Sequence, residues 1–300
     1  MNPFELPTDY PRPIPNRHRG KTLFTLLDSP SLTALKKLAV QKDCTLFMVL
    51  MTLFKVLLWR HADLDDLSIG TPVANRHRLS DEQIIGSFAN TLVIRSLLNE
   101  DLTFEQVLEQ VRTNLLEAYL YQDYPFEKPV EDIQPERDLG RSPIIQIWFS
   151  YFNTDLDKVL IGDLELEELE TGISGAKFDL SLSLTESGNT LKCAWEYNTD
   201  LYCHETIQRL SERRSVLIHG ILLSQTLAIG DYSMQSTETK RIEGLLMQED
   251  AIVGHSFTSD DSSPFSLLQC FDKWASVSSS RICLIDDTHR LTYKEVTQAG

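Results

Sequence analysis

The sequence predicts an α/β fold in which a mixed sheet is covered by helices. Apolar residues recur at helical spacing in some segments, whereas other segments alternate with the period of two that is typical of strands. We expect helices at 29–42, 45–61, 103–121 and 204–223, and strands at 67–73, 88–96, 145–151, 164–169, 178–184 and 191–197. Because the two kinds of segment are interleaved, we expect the helices to lie on the sheet and share its core.

The first three helices differ in how much of their surface is expected to be buried. The helix at 29–42 presents one apolar face, formed by Leu32, Leu35, Leu38 and Ala39. Either Ser29 or Ser31 is its expected N-cap. The helix at 45–61 is apolar nearly all round, so it should lie in the core, and Lys55 interrupts a run too short to span a bilayer. Thr103 is the expected N-cap of the third helix.

Three further segments lack a regular pattern or contain turn residues. Residues 1–21 are rich in proline, which lacks the donor that helices and sheets need, so we expect an extended and irregular segment. Gly188 and Asn189 predict a turn between the last two strands. Residues 233–263 are polar and aperiodic, which indicates a linker. After this linker we expect a helix at 264–277 and a short strand at 282–285.

Composition excludes several classes of function. The formal net charge of −16 argues against a nucleic-acid partner, because binding to phosphates needs a basic face. The N-terminal residues lack the basic and apolar regions of a signal peptide. Five scattered cysteines without Cys-x-x-Cys spacing favour reduced thiols in a cytoplasmic protein. The histidines show no metal-ligand spacing, so no metal site is expected, and neither is a membrane span.

Four short motifs follow one another in the middle of the chain. They are Ile69-Gly-Thr-Pro-Val-Ala-Asn-Arg76, Ile85-Gly-Ser-Phe-Ala-Asn-Thr-Leu-Val-Ile-Arg95, Tyr121-Gln-Asp-Tyr-Pro-Phe-Glu127 and Arg137-Asp-Leu-Gly-Arg-Ser-Pro-Ile144. In this order they resemble the downstream motifs of a nonribosomal peptide synthetase condensation domain. Each string alone is weak, but four in order at matching spacing identify the family. Asn75, Ala89 and Tyr121 depart from the commoner family residues.

The resemblance implies a fold similar to chloramphenicol acetyltransferase, with two lobes and a tunnel between them. It implies that this chain supplies the C-terminal lobe at 22–232, after an irregular segment at 1–21 that enters from the N-terminal lobe. The implied partners are peptidyl and aminoacyl carrier protein domains, which bear 4′-phosphopantetheine, together with the N-terminal lobe and the adenylation domain of the same synthetase. This chain itself is expected to bind no cofactor.

The upstream catalytic motif of the family, His-His-x-x-x-Asp-Gly, does not occur in the 300 residues. In the family its second histidine acts on the acceptor amine. We therefore expect no catalytic residue in this chain and no activity from it alone. The stretch His61-Ala-Asp-Leu-Asp65 matches only part of the pattern, because position 60 is Arg60.

A second resemblance occurs after the predicted linker at 233–263. Residues 264–300 look like the start of an adenylation domain, through the segments Phe265-Ser-Leu-Leu-Gln-Cys-Phe271, Ile282-Cys-Leu-Ile-Asp-Asp287 and Leu291-Thr-Tyr-Lys-Glu-Val296. The order condensation, linker, adenylation is that of an elongation module. The alternative is a non-catalytic half-domain, which would bind a carrier protein or complement a lobe supplied in trans.

Two arginines are candidates for structural support of the active site. In this superfamily an arginine of the C-terminal lobe pairs with the aspartate of the absent motif. The order of the motifs favours Arg76 over Arg95, and an ordinary solvent-exposed arginine is the alternative for either. Other motif positions are expected near the tunnel or in the loops, where most of them should brace loops: Asn90, Thr91, Gln122, Asp123, Arg137 and Asp138.

Overall fold

The computed structural model describes residues 6–62, 64–76, 78–133, 140–153, 160–161, 164–165, 175–235, 282–285 and 290–292. The chain divides into two units, Met1–Ile242 and Glu243–Gly300. The strands described in the first unit are β1 Gly20–Leu27, β2 Asp66–Val73, β3 Asn90–Leu97, β4 Ile147–Phe152, β5 Leu160–Ile161, β6 Leu164–Glu165, β7 Leu180–Ser187 and β8 Thr190–Asn198. Its helices are α1 Ser29–Gln41, α2 Leu46–Ala62, α3 Leu79–Glu82, α4 Phe104–Leu120, α5 Glu127–Ile133 and α6 His204–Leu223. In the second unit, β9 Ile282–Ile285 pairs with β10 Arg290–Thr292.

The main sheet has six strands in the order β1-β8-β7-β4-β2-β3. The central strand β4 runs parallel to β7 and to β2, whereas the outer pairs are antiparallel. The parallel contact between β2 and β4 is confined to Gly70 opposite Trp148. Pro72 follows two residues later and has no N–H to donate, which accounts for the early end of that ladder. The expected mixed sheet is confirmed.

Helices cover one face of this sheet and form a single core with it. The four apolar residues expected on α1 are all buried, and α2 is buried from Met48 to Trp59. Because strand side chains alternate between faces, the opposite face receives the remaining side chains, including Phe24 at 54% exposed and Leu26 at 66%. The helices predicted at 29–42, 45–61, 103–121 and 204–223 are confirmed, and so is the turn at Gly188 and Asn189.

Capping groups fix where the helices begin. Thr103 caps α4, as the sequence predicts, and it forms a capping box with Gln106. The N-cap of α1 is Asp28, whose carboxylate accepts from the backbone N–H of Ser31 at 2.8 Å. The expected serine cap at Ser29 or Ser31 is therefore wrong. The cap lies one residue before Ser29, because the Asp28 carboxylate accepts the hydrogen bond from the first turn of the helix.

The N-terminal segment is extended, as its prolines predict, and it is held by side-chain contacts. Asp9 caps α6 from a distance, since its carboxylate accepts from the Cys203 N–H at 2.8 Å and the Thr206 hydroxyl at 2.9 Å. Burial raises the pKa of Asp9, but these hydrogen bonds outweigh it and the pKa is lowered. The sequence signalled neither this cap nor strand β1.

Some expectations fall partly or wholly outside the described residues. The strand expected at 164–169 is described only at 164–165, where β6 pairs with β5. The helix expected at 264–277 and most of the linker at 233–263 lie outside them. The short strand at 282–285 is confirmed as β9, and its partner β10 was not predicted.

Candidate functional site

Arg76 braces the loop that joins β2 to β3. Its guanidinium donates to the carbonyl oxygens of Asp81, Ile84 at 3.0 Å and Gly86 at 3.2 Å, and it lies 4.2 Å from the centre of the Phe88 ring. A planar fork of five N–H donors can satisfy several carbonyls at once, which a lysine could not do in the same geometry. Among the described residues, no carboxylate is paired with Arg76.

Asn90 joins the second motif to the third. Its amide nitrogen donates to the carbonyl oxygens of Gln122 at 2.7 Å and Tyr124 at 2.8 Å. Its amide oxygen accepts from the N–H groups of Thr91 at 2.9 Å and Phe126 at 3.2 Å. One side chain therefore uses both ends of its amide to hold the 121–126 turn against the start of β3.

Gln122 and Asp123 lie in that turn. The Gln122 side chain donates to the carbonyl oxygen of Tyr119 at 3.0 Å, at the end of α4, while Asp123 is exposed. Gln122 thus contacts the protein's own backbone through both its side chain and its carbonyl. This placement fits the predicted bracing role of Gln122, which stays a prediction.

We expect Asn90→Ala to loosen the 121–126 turn. The substitution removes two donors and one acceptor from the turn, and hydrogen bonds of this kind contribute about 0.5–1.5 kcal/mol each. The free energy of unfolding should fall by about 1–3 kcal/mol, and proteases should cut between Tyr121 and Phe126 sooner. Gln122→Ala, which loses only the contact to Tyr119, is the control. Equal cleavage rates in Asn90→Ala and wild type would contradict this account.

Arg95 already has a carboxylate partner within the lobe. Its Nε and Nη2 atoms donate to the two carboxylate oxygens of Asp66, each at 2.8 Å. Both side chains are about half exposed, at 51% and 44%. The hydrogen bond from Arg95 is the main reason why the pKa of Asp66 lies below its ordinary value. The pair lies across β2 and β3, at the strand ends farthest from Arg76.

The described part of the fourth motif, residues 140–144, precedes β4 and lies at the end of the sheet opposite Arg76. The motif residues Arg137 and Asp138 lie outside the described residues. Gly140, which is described, accepts from Arg12 at 3.2 Å through its carbonyl oxygen. Arg12 also forms a bidentate pair with Asp179, at 2.8 and 2.5 Å. The two side chains are only 9% and 5% exposed, so this ion pair is buried and joins the N-terminal segment to the start of β7.

An aromatic pair lies beside the buried ion pair, on the face of the sheet opposite the core helices. Trp148 and Phe178 stack with ring centres 4.9 Å apart and planes 6° apart. A Cβ atom at Gly70 would come within 2.7 Å of the Ile145 side chain and 3.0 Å of the Trp148 ring, so a larger residue there would force the Ile145 side chain to move. Sequence reasoning identified the motif around Gly70 but missed Arg12, Asp179 and the stack. The one available signal was the proline-rich segment at 1–21, which the family resemblance places at the entry from the N-terminal lobe and which contains Arg12.

The described residues show neither a metal site nor a membrane span. They hold no group of three or more His, Cys, Asp or Glu that could bind a metal ion. Within the same ranges, no helix combines the length and apolarity needed to cross a bilayer.

Comparison with known proteins identifies the family. The protein-family model described as the condensation domain matches residues 1–242 of the 300. The chain belongs to the condensation-domain family of nonribosomal peptide synthetases. The residue range that this family match covers contains all four motifs and both ends of the sheet described above.

Curated relatives of this condensation domain are components of large synthetases. One component of the linear gramicidin synthase of Brevibacillus parabrevis is 37% identical over 238 residues, which are 79% of this chain and 3% of that protein. Another component of the same synthase is 33% identical over 296 residues, 97% of this chain and 6% of that protein. Surfactin synthase subunit 1 of Bacillus subtilis (strain 168) is 32% identical over 294 residues, which are 98% of this chain and 8% of that protein. The chain therefore spans a small fraction of each relative.

Solved structures share the fold. The four-domain nonribosomal peptide synthetase AB3403, in its holo form bound to AMP and glycine, superposes with a TM-score of 0.73 at 24% identity, over 98% of this chain and 23% of that one. The X-domain from teicoplanin biosynthesis gives a TM-score of 0.71 at 27% identity, over 77% of this chain and 53% of that one. The X-domain has also been solved in complex with OxyB.

Proposed function

We propose that this chain is part of a nonribosomal peptide synthetase elongation module and supplies the C-terminal lobe of its condensation domain. In such a module the parent condensation domain forms a peptide bond between aminoacyl and peptidyl thioesters carried by carrier proteins. The observation that carries the proposal is the family match over residues 1–242, which contains all four motifs. The X-domain supports the half-domain size, because this chain aligns with 53% of it.

The proposed role of this lobe is to hold loops and the partner lobe in place, without performing the chemistry. Peptide-bond formation requires the acceptor amine to attack a thioester carbonyl, and the residue that assists the amine in the family belongs to the absent histidine motif. The groups found in the motif loops, such as Arg76 and Asn90, bond to backbone carbonyls and N–H groups of this chain. The proposed partners are the peptidyl and aminoacyl carrier proteins, whose 4′-phosphopantetheine arms carry the substrates.

A reaction with two loaded carrier proteins tests this proposal. We expect the purified chain alone to form no dipeptidyl thioester, as measured by mass spectrometry of the carrier proteins. Adding a separate polypeptide that contains the N-terminal lobe with His-His-x-x-x-Asp-Gly should restore product. A variant of that polypeptide with the second histidine replaced by alanine is the control. Product from the chain alone would refute the assignment of a non-catalytic lobe.

We further propose that Arg76 pairs with the aspartate of the histidine motif in the intact domain. Two observations support the choice over Arg95: the described contacts of Arg76 are carbonyls and an aromatic ring, whereas Arg95 already pairs with Asp66. In an intact condensation domain, Arg76→Ala should slow condensation and lower the melting temperature. Arg76→Lys should rescue only partly, because it loses the planar fork. Wild-type rates in Arg76→Ala with loss of activity in Arg95→Ala would transfer the role to Arg95.

The tail is proposed to be a linker at 233–263 followed by the start of an adenylation domain at 264–300. The alignment with the 33% identical component of linear gramicidin synthase supports this order, since it covers 97% of the chain and so continues past residue 242. The free thiols of Cys44, Cys193 and Cys203 are consistent with a cytoplasmic setting. Limited proteolysis should cut within 233–263 before it cuts within 22–232, because polar aperiodic segments have few buried backbone hydrogen bonds.

A second candidate is a non-catalytic binding module. The likeness to the X-domain, which forms a complex with OxyB, favours this alternative. A binding module would retain a partner without the histidine motif, whereas a lobe of a condensation domain would gain activity when the other lobe is added. The second candidate would be favoured if the chain bound a carrier protein equally well with and without the added lobe and formed no product in either case.

A further inference from the structure

Strand β3 lies at the edge of the six-stranded sheet, and among the described strands its one partner is β2. The N–H of Leu98 donates to the carbonyl oxygen of Asp65 at 2.8 Å, so Leu98 faces β2. Because the backbone groups of successive residues in an antiparallel strand point to opposite sides, Thr91, Val93, Arg95 and Leu97 point away from β2. Such a row of outward N–H and C=O groups is a template on which another strand can pair.

Side-chain amides cover three of the eight outward N–H and C=O groups, among them the carbonyls of Arg95 and Leu97. Asn114 of α4 donates to the carbonyl oxygen of Arg95 at 2.7 Å. Gln110 of α4 donates to the carbonyl oxygen of Leu97 at 3.1 Å. At the other end of the strand, the amide oxygen of Asn90 accepts from the N–H of Thr91 at 2.9 Å.

The spacing of the two α4 residues matches that of the carbonyls they cover. Gln110 and Asn114 are four residues apart on a helix, which corresponds to about 6 Å along its axis. Arg95 and Leu97 are two residues apart on a strand, which corresponds to about 6.8 Å. A helix lying along the edge can therefore place one amide on each successive outward carbonyl.

Val93 is the one outward position of β3 at which neither backbone group is covered in the described part of the chain. Its N–H and C=O have no hydrogen-bond partner among the residues that the structure describes. It lies in a groove of about 530 Å³ between β3 and α4, together with Leu97 at 57% exposed and Tyr121 at 74%. A hydrogen-bonded antiparallel pair uses both the N–H and the C=O of one residue, so Val93 alone could form one. One such pair is too few to hold a new strand, since even whole hairpins are marginal in water.

We propose that Gln110 and Asn114 prevent β3 from pairing with the β3 edge of a second copy of this chain. A second copy is the partner that the geometry selects, because two identical edges can pair antiparallel about a two-fold axis and present the same groups to each other. Such a pair would also bury the exposed Leu97 and Tyr121 side chains. The two amides occupy two of the four outward carbonyls that this pairing would use.

The double variant Gln110→Ala/Asn114→Ala tests the proposal in the full chain. Alanine adds no apolar surface of note and favours helix, so α4 should persist. We expect its mass in light scattering to rise from that of the wild type towards twice that value as concentration increases. The amides of Val93 and Arg95 should become protected from hydrogen exchange in the associated form. Glu109→Ala/Thr113→Ala, on the outer side of the same helix turns, is the matched control and should behave as wild type.

A third substitution decides whether β3 is the surface involved. Val93→Pro removes an outward N–H on an edge strand, where proline is tolerated, and it should return the double variant to the mass of the wild type. The single variant Asn114→Ala, read by the same exchange of Val93 and Arg95, gives an answer even if the double variant unfolds. A double variant with wild-type mass, association of the control, or failure of Val93→Pro to reverse association would overturn the proposal.

Discussion

Replacing Arg12 with alanine is expected to lower the free energy of unfolding by about 3–5 kcal/mol, because it leaves the Asp179 carboxylate buried without its partner. The pair is bidentate, at 2.8 and 2.5 Å, and nearly closed to solvent. Arg12→Ala also removes the donor to the Gly140 carbonyl. Urea unfolding of the full chain, followed by tryptophan fluorescence, measures the loss.

Two further variants separate the charge pair from simple packing. Replacing both partners, in Arg12→Met/Asp179→Leu, should cost much less than Arg12→Ala, since no unpaired charge remains in the interior. Arg95→Ala breaks a pair of the same bidentate geometry that is about half exposed, so its effect should be far smaller than that of Arg12→Ala. Similar losses in Arg12→Ala and Arg95→Ala would show that burial of the Arg12 pair is not the source of its effect.

Lys55→Met is expected to change how stability depends on pH. Lys55 is fully buried in α2, where its amine donates to the Ile94 carbonyl at 2.7 Å and the Ser96 hydroxyl at 2.9 Å. Burial lowers the pKa of Lys55 to about 7, against about 10.4 in an unfolded chain. Between these values the unfolded state binds more protons than the folded state, so the stability of the wild type rises with pH.

The slope of this rise is up to about 1.4 kcal/mol per pH unit, and Lys55→Met should lack it. The methionine variant should therefore be the more stable near pH 7, where burying the ammonium is most costly, and its advantage should shrink towards about pH 10. Lys37→Met, at an exposed position of α1, makes the same chemical change and should leave the slope unaltered. Parallel stability curves for wild type and Lys55→Met would contradict this prediction.

Helices were predictable where their signals are local. The apolar face of α1 and the all-round burial of α2 follow from residues within a few turns of one another, and the Thr103 cap from its immediate neighbours. Strand β1 was missed because both of its faces carry apolar residues. Leu23 and Leu27 face the core while Phe24 and Leu26 face away, so the period of two is hidden in the sequence.

At the candidate site, the sequence identified motif residues but not their hydrogen-bond partners. The sequence placed Asn90 and Gln122 in neighbouring motifs, but it did not indicate that Asn90 holds the 121–126 turn. Nor did it show that Arg95 is already paired with Asp66, which lies 29 positions away. A hydrogen-bond partner brought near by folding leaves no pattern in a single sequence.

The sequence by itself determined the family, the order of the motifs and most of the helices and strands, because periodicity, caps and motif spacing are written in residues close together along the chain. Only the tertiary structure decided which charges are paired. Arg12 meets Asp179 across 167 positions, Asp9 caps α6 across 194, and Arg76 bonds to carbonyls of its own loop. The reason is physical: an ion pair is selected by distance and burial, and both exist only after the sheet has brought distant segments together.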